Sequence, residues 1–323
     1  MSGTIREHDV TVYQGDVREQ LALLPSSSAQ CVVTSPPYYG LRDYGVDGQI
    51  GLEDSPAEFI DAMREVFAEV ARVLRDDGCL WLNIGDSYYS GRGRPGPNSD
   101  DEKQPARRGL ARPLDRPGQE WGTKKSLLMM PERLTLALLE DGWILRNKIA
   151  WEKPNAMPDS AQDRLSSRWE YVYLLTRSQR YYFDLDAIRV PHSAKTLKDF
   201  GDGQSNGKAY GNVKVRDNNW QPNNTMRRID PRGANPGDVW SIATTPYVGA
   251  HFATFPPEIP RRCILASSRE EDTVLDPFAG SGTTLKVARS LGRKSIGIEL
   301  NPDYIDIIRE RIGQTPLDFG VTA

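Results

Sequence analysis

The chain has almost no cysteine or histidine: three of each in 323 residues. Cys31, Cys79 and Cys263 stand far apart inside apolar segments, so no disulfide framework is available. They read as reduced, buried small side chains of a cytoplasmic protein. His8, His192 and His251 show no metal-ligand spacing, and no metal site is expected. No apolar stretch approaches the length of a bilayer span, and the first residues lack the apolar run of a signal peptide. An excess of positive charge is missing too, since 41 Lys and Arg against 44 Asp and Glu leave a formal net charge of −3. No global basic field announces a nucleic-acid partner, so such a partner would have to be held by local clusters. What is present is a soluble globular balance, 38% hydrophobic and 26% charged, in a chain long enough to bury a sizeable core.

Strands and helices alternate along most of the chain, which implies a parallel-rich α/β sheet. Short apolar runs at 10–13, 30–34, 79–84, 171–176, 273–276 and 295–299 read as strands. Helical spacing appears at 17–24, 56–74, 131–139, 257–267, 283–291 and 302–312, with Gly78 as the expected cap of the second. Residues 143–151 continue the pattern. Two stretches break it. Residues 90–126 are rich in Gly, Pro and Arg and read either as a solvated loop or as a nucleic-acid clamp. Residues 185–240 are polar and basic, and a loop that long inside a compact domain is usually functional or disordered.

Two segments carry chemistry. Asp276-Pro277-Phe278-Ala279-Gly280-Ser281-Gly282-Thr283-Thr284 follows an apolar strand and opens a helix, inside a βαβ unit that ends at Glu299. Glycines there let backbone approach a ligand where a Cβ would obstruct it. An acidic residue about 20 positions further on stands where a carboxylate can accept hydrogen bonds from both ribose hydroxyls. The dinucleotide pattern fails because Leu285 occupies the third glycine position, and the phosphate-loop pattern fails because Lys286 lies beyond any Gly-Lys-Ser/Thr. The other segment, Thr34-Ser35-Pro36-Pro37-Tyr38, also follows an apolar strand. Ser35 offers a side-chain oxygen, Pro36 a carbonyl without an N–H, and the paired prolines stiffen the turn. Such acceptors can hold the hydrogens of an exocyclic base amine, whose lone pair is otherwise delocalised into the ring.

The run from Thr34 through Tyr38-Tyr39-Gly40-Leu41-Arg42-Asp43-Tyr44-Gly45, taken with the Gly loop, closely resembles cytosine-N4 DNA methyltransferases of the β arrangement, in which the catalytic motif precedes the cofactor motif. Nearly the whole chain follows that pattern, including Gly15-Asp16, Trp151-Glu152-Lys153-Pro154 and the 251–256 segment. The resemblance implies a Rossmann-like α/β methyltransferase fold, with a mixed seven-stranded sheet and helices on both faces. It implies S-adenosylmethionine as cofactor, double-stranded DNA as partner, and catalysis by Ser35, Pro36, Pro37 and Tyr38. Asp16, Phe252, Thr254, Asp276, Phe278, Ala279, Gly280, Gly282, Thr283 and Glu299 would bind the cofactor. Arg42, Tyr44, Lys153, Arg227 and Arg228 would contact DNA. Residues 1–184 would form the catalytic half and 241–323 the cofactor half of one domain, with target recognition in 185–240. The target base would have to leave the duplex, at a cost of a few kcal/mol that aromatic stacking offsets.

Cytosine C5-methylation is rejected, because Cys31 lies within a strand and lacks a Pro-Cys context. Adenine N6-methylation stays open, although Asp or Asn more often stands where Ser35 does. An inactive DNA-binding protein of the same fold is the reading from a different class. The resemblance leaves a homodimer and a cognate restriction endonuclease open as further partners.

Overall fold

A computed structural model describes residues 4–89, 122–159, 161–200, 230–244 and 255–313. The described chain runs β1 (Thr4–Glu7), β2 (Val10–Gln14), α1 (Val17–Ala22), β3 (Ala29–Thr34), α2 (Pro56–Val73), β4 (Leu74–Ile84) and α3 (Met130–Glu140). It continues with β5 (Ile144–Glu152), β6 (Trp169–Thr176), α4 (Ala194–Phe200), β7 (Val239–Ser241), α5 (Glu258–Ser267), β8 (Thr273–Asp276), α6 (Thr283–Ser290), β9 (Lys294–Glu299) and α7 (Pro302–Gly313).

One mixed sheet in the order β1-β2-β9-β8-β3-β4-β6-β5-β7 joins these strands. Its middle, from β2 to β4, is parallel, whereas β6 pairs antiparallel with both β4 and β5. Seven strands were expected and nine are present among the described residues. The two extra ones, β1 and β7, are short edge strands that leave the expected seven-strand core unchanged.

Alternation along the central strands decides which helices lie on which face. Val32, Leu80, Leu82, Leu275 and Ile298 point to one side, where Phe59, Met63, Phe67 and Val70 of α2 and Leu134 and Leu138 of α3 cover them. Cys31, Val33, Trp81 and Val274 point to the other, against Ile259, Cys263 and Ile264 of α5 and Val287 and Ala288 of α6. Apolar residues of α2 recur at helical spacing and form a continuous buried stripe. Ser55 caps this helix, its Oγ accepting from the Glu58 N–H at 3.0 Å, with Pro56 in its first turn.

Gly78 does not cap α2. The helix passes directly into β4 at Leu74, and Gly78 lies within that strand. A Cβ there would stand 2.6 Å from Leu74 Cδ1 and 2.7 Å from the Gln30 carbonyl, so glycine serves strand packing rather than helix termination.

Candidate active site

Neighbouring parallel strands end at one rim of the sheet. β3 delivers Thr34 and Ser35, β8 delivers Asp276, β9 delivers Glu299, and β4 delivers Asn83. Strand order reverses between β3 and β8, since the chain leaves β3 towards β4 and leaves β8 towards β9. A crevice at such a reversal is where open α/β sheets place ligands. Here it is a cleft of about 150 Å³, lined by Ser35 and Pro37 together with Asp16, Asp276, Phe278, Ala279, Gly280, Thr283 and Glu299.

The glycine loop is built from two left-handed residues, Gly280 (φ 53°) and Gly282 (φ 77°). They divide the work. Gly280 lines the cleft, whereas Gly282 is absent from its lining and starts α6. A Cβ on Gly282 would meet Ile308 at 3.1 Å, so its role is to fit the turn against α7.

Three carboxylates reach the cleft in different states. Glu299 accepts from the Gly280 N–H and from the Asn301 N–H, each at 2.8 Å, one on either oxygen. Each oxygen keeps a lone pair for a further donor, as a ribose diol requires. Burial pushes the Glu299 carboxyl up to about 7, against the backbone hydrogen bonds that favour its charge. Asp276 is also pushed up by burial, to about 6, although it accepts from Thr34 Oγ1 at 2.7 Å and the Phe278 N–H at 3.1 Å. Its carboxylate therefore joins the two chemical segments and braces the loop. Asp16 caps α1 and is clasped by Arg18, at 3.0 and 2.6 Å, which lowers its pKa.

The Ser35–Tyr38 turn divides as well. Ser35 and Pro37 face the cleft, Pro36 is buried, and Tyr38 lies outside the cleft lining with its hydroxyl directed elsewhere. Tyr38 Oη sits 2.9 Å from Glu170 Oε2 and 3.3 Å from Asn83 Oδ1, and burial raises the phenol pKa well above its ordinary value. Its ring packs on Gly85, where a Cβ would approach within 2.5 Å. Ser35 Oγ donates to Asn83 Oδ1 at 3.3 Å.

Arg42 and Tyr44, expected at DNA, line the same cleft as Glu299, and Tyr44 makes an edge contact with Tyr304 at 6.4 Å. Residues 42–50 thus form one wall of the cleft. Lys153 pairs with Glu170 and lies 4.5 Å over the Trp151 ring. Phe252, Thr254, Arg227 and Arg228 lie outside the described residues, as does most of 90–126. Among the described residues, no cluster of three His, Cys, Asp or Glu side chains could hold a metal ion, and no helix is long and apolar enough to cross a membrane.

Asn83 and Glu170 were missed from sequence. Asn83 carried a signal, a lone polar side chain in the run Leu80-Trp81-Leu82-Asn83-Ile84. Glu170 carried none, because its partners come from β4, from the turn after β3 and from the residue following β5.

A family model described as DNA methylase matches residues 29–310. The type II methyltransferase M.Cfr9I of Citrobacter freundii is 45% identical over 302 residues, covering 94% of this chain and 87% of the relative. M.SmaI of Serratia marcescens is 43% identical over 298 residues, covering 92% and 89%. Among solved structures, PvuII DNA methyltransferase (cytosine-N4-specific) superposes with a TM-score of 0.64 at 18% identity, covering 96% of this chain and 88% of that one. A putative DNA modification methylase of Thermus thermophilus, complexed with S-adenosyl-L-methionine, gives a TM-score of 0.55 at 23% identity, covering 95% and 98%.

Proposed function

The chain belongs to the DNA methylase family, and on that premise we propose that it transfers a methyl group from S-adenosylmethionine to the exocyclic N4 amine of cytosine in duplex DNA. The observation that carries this reading is the single cleft shared by Ser35 and by Asp276, Gly280 and Glu299. A cofactor loop and an amine-binding turn that open on one space can hold donor and acceptor in line.

The cleft residues fit the cofactor. Glu299 presents two half-used carboxylate oxygens to a ribose diol, and Gly280 leaves room for close backbone approach. Arg42 and Tyr44 close the same side. When bound, S-adenosylmethionine supplies an electrophilic methyl group on a sulfonium.

The protein's own task is to orient a weak nucleophile. Ser35 donates its only proton to Asn83, which leaves its lone pairs free to accept a hydrogen of the base amine. The second hydrogen is assigned to the carbonyl of Pro36, which sits between the two cleft-lining residues Ser35 and Pro37. Held by both hydrogens, the amine turns its lone pair out of ring conjugation and towards the methyl group. Proximity and orientation then supply most of the rate, and the methylated amine loses its proton to solvent.

Ser35 favours cytosine over adenine, and the likeness to a cytosine-N4-specific fold neighbour supports the same choice. The names of the relatives, type II methyltransferases, support a place beside a restriction endonuclease. Target reading is assigned to 185–240. The described ends of that interval close on each other, Val190 and Ala234 exchanging backbone hydrogen bonds of 3.0 and 2.8 Å.

The test is incubation of the chain with DNA and labelled donor, followed by nucleoside mass spectrometry. N4-methylcytosine is expected. N6-methyladenine would overturn the base assignment, and absence of any methylated base would favour a binding-only protein.

A further inference from the structure

Behind the catalytic turn, a chain of polar groups leads away from the cleft. Ser35 Oγ and Tyr38 Oη both approach Asn83 Oδ1 at 3.3 Å, and Tyr38 Oη also approaches Glu170 Oε2 at 2.9 Å. Asn83 Nδ2 donates to the Tyr171 carbonyl at 3.0 Å and approaches Glu170 Oε2 at 3.4 Å. Glu170 Oε1 accepts from Lys153 Nζ. Lys153 and Glu170 are only 19% and 20% exposed, so solvent competes weakly for either.

Proton counting makes this arrangement directional. Tyr38 has one proton and two acceptors within reach. A carboxylate oxygen at the shorter distance wins it, because charge-assisted hydrogen bonds are stronger than neutral ones. Asn83 cannot turn over, since its Nδ2 faces a carbonyl and a carboxylate, both acceptors only. Its Oδ1 is therefore left for the Ser35 proton. Were Tyr38 to donate to Asn83 instead, both hydroxyl protons would converge on one amide oxygen, and the Ser35 proton would be held away from the cleft less firmly.

We propose that Glu170, held by Lys153, is a positioning residue that fixes the proton directions of Tyr38 and Ser35 and so keeps Ser35 an acceptor towards the substrate amine. This rests on the amine-methylation reading above. Neither residue then serves as a DNA contact. Lys153 sets which glutamate oxygen faces Tyr38 by occupying the other one.

Glu170→Gln tests the idea sharply. Lys153 has no acceptor capacity, so it would claim the new amide oxygen and turn Nε2 towards Tyr38 and Asn83. An acceptor is thereby replaced by a donor of the same shape. Single-turnover methyl transfer should fall by about 10- to 100-fold, the size expected for one reversed hydrogen bond to a charged group. Donor affinity by calorimetry and melting temperature should stay close to wild type. Adding Lys153→Met should restore part of the rate, because the glutamine is then free to present its oxygen to Tyr38. In a Tyr38→Phe background, Glu170→Gln should cost much less than in the wild type.

A double variant no faster than Glu170→Gln alone, full additivity with Tyr38→Phe, or loss of donor binding in Glu170→Gln would each overturn the positioning role. All rates are taken against wild-type transfer to whichever base amine the wild type methylates. Failure of the functional reading would show instead in the wild type, as absence of transfer.

Discussion

Glu299 gives the most quantitative prediction. Its carboxyl is pushed from an ordinary 4.5 up to about 7, chiefly by burial, with Asp276 nearby adding to the effect. The gap corresponds to about 3 kcal/mol against the charged form in the donor-free protein. Ribose hydroxyls donate, so they favour the charged form and bring its pKa down on binding. Donor binding near neutrality should therefore release a proton. Below about pH 7 the donor Kd should weaken by up to about tenfold for each pH unit, and above about pH 8 it should level off. Calorimetry in buffers of different ionisation enthalpy measures the released proton directly. Glu299→Gln should bind more weakly at pH 8 and lose the inflection near 7; an inflection remaining near 6 would belong to Asp276. The sign for folding is opposite. Because the folded carboxyl binds its proton more tightly than the unfolded one, Glu299 makes the donor-free fold less stable as pH rises from about 4.5 to about 7. A donor Kd that is flat from pH 5.5 to 8.5, or an unchanged profile in Glu299→Gln, would refute the reasoning.

Other outcomes follow from the same geometry. Ser35→Ala should abolish turnover while donor binding persists, whereas Asp276→Ala should lose donor binding, because it frees Thr34 and the Phe278 N–H together; equal donor affinity in calorimetry would sink that division. Gly282→Ala should lower stability by about 1–2 kcal/mol in denaturant melts, from left-handed backbone and the 3.1 Å approach to Ile308, and leave donor affinity of the folded protein intact. Gly85→Ala should push the Tyr38 ring out of place and slow methyl transfer with no change in donor Kd; unaltered single-turnover rates would show that the ring position is unimportant.

Much of the fold was legible because its central strands are buried on both faces and read as continuous apolar runs, as at Cys31-Val32-Val33 and Leu80-Trp81-Leu82. The edge strands were not. β1 alternates exposed and buried residues over only four positions, and β7 has three residues with a single buried side chain. Gly78 misled because a glycine after a helical run signals a cap only when the chain turns there, and here it extends. That the 276–284 loop and Glu299 share one cleft could be anticipated because both belong to one βαβ unit. Arg42 and Tyr44 could not be assigned to a side of the turn, since a sequence does not say which way a loop falls. Glu170 illustrates the limit best. Its neighbours in space, Asn83 and Tyr38, are 87 and 132 residues away, and they meet it only through the β3–β4 and β4–β6 pairings.

The hydrogen bond from Thr34 to Asp276 joins groups 242 residues apart. Together with the β3–β8 ladder, it makes the centre of the sheet depend on a segment synthesised long after β3. During translation β3 can pair with β4 early, but its other edge stays open until residues 273–276 have emerged. Closing so long a loop costs little more in entropy than closing a shorter one, because each doubling of length adds only about 0.6 kcal/mol. Waiting is the larger hazard: an unpaired apolar strand at the middle of the future sheet is a template for association with other nascent chains. Synthesis that stalls before β8 should therefore yield aggregates rather than a soluble half-sheet, and the shared cleft should form only once residues 273–299 have emerged.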